Sequence, residues 1–129
     1  MTDIELIESF ENCTLSNKSF HHEEHIRVAF LYLSRYPALQ ALQRFSQSLI
    51  RFANAHGKTT LYHETVTWAY ILIIRERMVR AARPQTWPEF MAGNQDLFNR
   101  ERNILEKYYR QETLASDLAK NTFLFPDKL

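Results

Sequence analysis

The chain has 129 residues, 45% hydrophobic and 13% aromatic, which is the size of one ordinary domain with the apolar mass for one sizeable core. Sixteen Lys plus Arg against fifteen Asp plus Glu leave a formal net charge of +1 and no basic block of the kind that tracks phosphates, so nucleic acid is a poor partner. The longest apolar run, Trp68 to Ile74, is far short of the roughly 20 residues of a membrane span; the start "MTDIELIESF" is acidic rather than signal-like; and the lone Cys13 allows neither an internal disulfide nor a cysteine-rich zinc site, so the expectation is a cytoplasmic protein without a membrane partner.

Two glycines and four prolines fall between long stretches in which apolar residues recur three and four apart, the period of an amphipathic helix. The pattern predicts an all-α fold: a single-domain helical bundle over residues 1–129, of three long helices plus shorter ones. A short helix is expected from about Asp3 to Asn12. The first long helix is predicted to start behind Ser19 as N-cap and to run to Tyr36, where Pro37 stops it. Its apolar stripe is Ile26, Ala29, Phe30, Leu33 and Tyr36. The second runs from about Ala38 to His56 with Leu42, Phe45, Leu49 and Phe52 on one face, and Gly57 ends it. The third starts behind Thr59 or Thr60 and continues to about Arg83, just short of Pro84; its middle is apolar almost all round, which places it centrally. Thr86 with Glu89 three residues later, and Pro88 in the first turn, spell a capping box for a short helix that Gly93 closes. Helices at about Gln95 to Tyr109 and Thr113 to Thr122 follow. The tail "FLFPDKL" has no helical period and is expected to lie across the bundle through Phe123 and Phe125.

The stretch "SFHHEEHIRVAF" sets three histidines and two glutamates in front of an apolar run. Helical residues advance roughly 100° each, so with His22 at zero Ile26, Ala29, Leu33 and Tyr36 fall within roughly 40° of it. His22 then points along the middle of the buried face. His25 lies about 60° to one side, His21 about 100° away at the rim, and Glu23 and Glu24 face water. On the third helix His63 centres a stripe of Thr67, Tyr70, Ile74, Met78 and Ala81. With Ser19 and Thr60 as caps, His22 and His63 each stand three residues into parallel helices and enter the core at similar depth. His56, at the end of the second helix, reaches the same end.

Converging imidazoles can ligate a divalent transition metal ion: zinc, iron, copper or nickel. His22 and His25, at i and i+3, share one ion; His63 completes a three-histidine face with an open position for water or substrate. Glu64 serves as an auxiliary fourth ligand or as general base, with Thr67 and Tyr70 supplying hydrogen bonds behind the ligands. The expectation is a metal-binding protein, in function a metal-dependent enzyme acting on a small molecule, with the two helix N-termini favouring an acidic or enolic substrate. The rival reading is a metal-free helical module binding a partner protein or apolar ligand, its histidines filling polar niches. A single core-facing histidine is usually just hydrogen-bonded, and His56 in a last turn suits the helix dipole without metal. Arg75 to Arg83 reads as a solvated helix end, while Tyr32, Phe45, Phe52, Trp68 and Tyr70 read as core. Glu-x-x-His and His-Glu-x-x-His are both absent, as are a phosphate loop and a nucleophile elbow.

The strings "FHHEEHIRVAFLYL", "LYHETVTWAY" and "YYRQETLASDLAKNTFLFPD" resemble the pattern of a family of small bacterial all-helical proteins. That pattern, Phe-x-His-x-x-His-Leu-x-Val-Ala and Tyr-His-Glu-Thr-x-Thr, falls on Phe20, His22, His25, Val28 and Ala29, then Tyr62, His63, Glu64, Thr65 and Thr67, with Ile26 replacing Leu. The resemblance runs from about Leu6 to Asp127. It implies His22 and His25 rather than His21, and it supplies neither a substrate nor a cofactor.

Overall fold

The computed structural model describes residues 1–58, 60–99 and 103–128. The described residues are helical with no strand, and three helices are long, as the periodicity predicts. The chain divides into two compact units, residues 1–62 and residues 63–129. Thr59 as a cap, and residues 100–102 of the helix expected at Gln95 to Tyr109, lie outside the described residues. No helix among the described residues is long and apolar enough to cross a membrane.

The first unit holds α1 (Asp3–Glu11), α2 (His22–Arg35) and α3 (Ala38–Ala55). Thr2 caps α1, its hydroxyl oxygen accepting the Glu5 N–H at 3.1 Å, and Asp3 and Glu5 add negative charge at the positive end of the helix dipole. Ser19 is not the cap of α2. It closes a 3₁₀ turn at Asn17–Ser19 whose own cap is Ser16, and His21 stands at the N-cap instead. Two contacts move the start: the Glu24 carboxylate reaches back to the His21 N–H at 2.8 Å, and Phe20, just outside the helix, is buried. Pro37 divides α2 from α3, and the three helices close over Leu6, Phe10, Val28, Tyr32, Phe45 and Phe52. Each such aromatic or branched side chain contributes about 1.5–3 kcal/mol by leaving water.

The second unit is built on α4 (Glu64–Arg80), which starts behind His63 and not behind Thr60. Buried residues lie on two sides of this helix, Thr65 with Ala69 and Thr67 with Ile71 and Ile74, which is why its middle lacks a polar face. The capping box at Thr86 forms as expected, with Glu89 accepting the Thr86 N–H at 3.0 Å and Thr86 accepting the Glu89 N–H at 3.3 Å, and opens α5 (Trp87–Gly93). The stretch beyond is broken where one helix per stretch is expected. It contains 3₁₀ turns at Gln95–Phe98 and Ile104–Lys107, then α6 (Gln111–Leu114) and α7 (Asp117–Asn121). Short polar side chains do the breaking: Asn103 Oδ1 accepts the Leu105 N–H at 2.9 Å and Ser116 Oγ accepts the Ala119 N–H at 3.1 Å, each starting a new turn. The arginine-rich end of α4 is a set of surface ion pairs, Arg77 with Asp96, Arg80 with Glu76 and Arg83 with Glu89, of the kind worth little individually.

Two of the described residues of the first unit have left-handed backbone. Gly57 (φ 70°) ends α3, and Cys13 (φ 61°) ends α1, where the Cys13 N–H reaches the Phe10 carbonyl at 3.1 Å and the Thr14 N–H the Ser9 carbonyl at 2.9 Å. A Cβ at position 57 would touch nothing within 4 Å, so its cost is backbone strain alone. Gly57→Ala is therefore expected to lower stability by about 1 kcal/mol, and Cys13→Gly to raise it by about 0.5–1 kcal/mol. Urea midpoints of the two variants, moving in opposite directions, check the pair.

Candidate functional site

In the first unit the histidines belong to an aromatic cluster. His21 is exposed at the N-cap of α2; His22 and His25 are half-buried in its first two turns. The His25 ring stacks on Phe20 with centroids 4.0 Å apart, Phe20 meets Phe52 at 4.9 Å, and Phe52 meets His56 at 4.4 Å. His25 and His56 thus stand at the two ends of a phenylalanine pair. His56 is the C-cap of α3, and its Nε2 is buried with no hydrogen-bond partner among the described residues.

The most buried polar group of this unit is Tyr32, 1% exposed, whose hydroxyl donates to Glu11 Oε2 at 2.6 Å. Arg51 donates to the Ser48 hydroxyl at 3.3 Å and to the Glu11 carbonyl at 3.4 Å. Burial first, and the Glu11 hydrogen bond second, hold the Tyr32 phenol well above the ordinary range.

His63 opens the second unit as the N-cap of α4. Its Nδ1 accepts the Val66 N–H at 3.1 Å and its Nε2 faces the Leu114 carbonyl at 2.8 Å. A nitrogen that accepts an N–H carries no proton, and one that meets a carbonyl oxygen must carry one. The structure therefore assigns His63 the neutral Nε2–H tautomer, with both ring nitrogens in use. Thr65 is completely buried; its hydroxyl donates to the Thr122 carbonyl at 2.8 Å and accepts the Leu124 N–H at 3.1 Å. Thr67 donates back to the His63 carbonyl at 2.7 Å. Trp68 stacks on Phe123 with centroids 5.5 Å apart. Within "YHETVTW", His63, Thr65 and Trp68 thereby hold α6 and the segment after α7 to α4. That segment is held again by the Tyr109 hydroxyl, which donates to the Leu124 carbonyl at 2.7 Å, and by Asp127, which takes the Arg110 N–H at 3.0 Å and the Thr113 hydroxyl. Phe123 lies against the helices as expected. Phe125 does not; it is 84% exposed, because the main chain on either side of it is the part that is pinned.

Of the residues expected in a metal centre, His22 and His25 belong to the first unit and His63 and Glu64 to the second. Among the described residues no three of His, Cys, Asp or Glu are grouped as metal ligands would be. Glu64 is half-buried in the first turn of α4, where a carboxylate favours the helix dipole. Tyr109 and Asp127 were not singled out by sequence, and Thr65 only as part of the motif, since nothing local marks a side chain whose partner lies more than a dozen residues away. The chain matches no protein family, no curated protein and no solved structure.

Thr65→Val keeps the shape of the side chain and removes the partner of the part-buried Thr122 carbonyl and Leu124 N–H, so a loss of about 1–3 kcal/mol is expected in a urea melt. Thr67→Val removes only a second bond to a carbonyl that already accepts the Thr67 N–H at 3.0 Å, and is expected to cost under about 1 kcal/mol.

Burial raises the Tyr70 phenol to about 12. The folded chain therefore keeps protons at Tyr70 and Tyr32 that the unfolded chain releases near pH ~10. Their contribution to stability is complete below the unfolded value and is lost as pH rises toward the folded one. The urea midpoint is expected to fall from about pH 10 upward, less steeply in Tyr70→Phe.

Proposed function

We propose that this chain is a cytoplasmic, metal-free helical module that binds a partner protein or an apolar ligand, and that its histidines act as helix caps and stacking partners. One observation carries the reading: both nitrogens of His63 are committed to main-chain groups of the chain itself. Coordination through Nδ1 would uncap α4; coordination through Nε2 would set an unprotonated nitrogen against the Leu114 carbonyl. The remaining motif residues support it in the same way. Thr65 and Thr67 bond main-chain oxygens, and His25 packs on Phe20. On this reading the resemblance to the small bacterial family rests on residues that hold the fold.

A second reading keeps a divalent transition metal, with His22, His25 and His63 as ligands and Glu64 as ligand or base in an enzyme acting on a small molecule. The observation in its favour is that His22 and His25, one turn apart, are both half-buried at the start of α2.

Elemental analysis of untagged protein, joined to nitrogen NMR of the imidazoles, decides between them. The first reading expects a folded, metal-free protein whose His63 keeps the Nε2–H pattern when zinc, copper, iron or nickel is added. Near-stoichiometric metal, lost in both His22→Ala and His63→Ala, would overturn it in favour of the second.

A further inference from the structure

We draw no further inference here: the strongest candidate, the exposed face of α4 on which Leu72 and Val79 flank Arg75, is an unpartnered helix face, and nothing in the structure shows what covers it.

Discussion

The second unit depends on one constraint: a stretch with little regular structure has to satisfy its main-chain polar groups when it packs against α4. In a long helix each N–H finds a carbonyl four residues back. Residues 103–128 have one 3₁₀ turn and two helices of four and five residues, so the main-chain groups that local turns do not pair take partners from elsewhere. The partners come from side chains on and around α4. His63 takes the Leu114 carbonyl, Thr65 takes Thr122 and Leu124, and the Tyr70 hydroxyl takes Asn103 at 2.9 Å. A fully buried carbonyl or N–H left unpaired costs about 1–3 kcal/mol, and these part-buried groups up to that, so the hydroxyl and imidazole contacts add to the apolar core in holding the unit together.

The first unit solves its problem differently. Its helices are long enough to close their own hydrogen bonds, and the interior is a continuous run of rings through His25, Phe20, Phe52 and His56, with Phe10 and Phe45 beside them. Polar groups enter this interior only where they are paired, as in the chain from Arg51 through Ser48 to Tyr32 and Glu11. The exceptions among the described residues are the Ser46 Oγ and the His56 Nε2, both buried with no hydrogen-bond partner. His56 is the C-cap of α3, and its main-chain N–H, not its ring, reaches the last carbonyls of the helix at Phe52 and Asn54.

What the sequence shows clearly is what local chemistry decides. Gly57 after α3, Pro37 between α2 and α3, and the Thr86 with Glu89 capping box act within four or five residues, and all three stand where they were expected. The start of α2 was not legible, because Ser19 and His21 are both acceptable caps and the choice is made by the burial of Phe20 in a cluster that includes Phe52, far along the chain. The break between α6 and α7 was hidden for the same reason. Apolar spacing from Thr113 to Thr122 fits one helix, yet Ser116 caps a new one, and only the docking of Ala119 against α4 makes that alternative pay.

His63 stands at the N-cap of α4 and not three residues inside the helix, as the spacing from Thr60 predicts. A helical wheel assigns a direction only to residues with helical dihedral angles, and His63, at φ −129° and ψ 111°, has extended ones. Its side chain turns back over the first turn of α4 and does not project from a stripe with Tyr70 and Ile74. That position also accounts for the choice of residue. Ser, Thr, Asp or Asn would cap the helix equally well, but each is too short to bond a second carbonyl on the far side of its ring position. Imidazole has an acceptor and a donor at opposite edges of a rigid plane, so one residue both starts α4 and fixes α6 to it. Thr65 adds a second link, from α4 to Thr122 and Leu124, while the Thr67 hydroxyl returns to the His63 carbonyl at the start of the same helix.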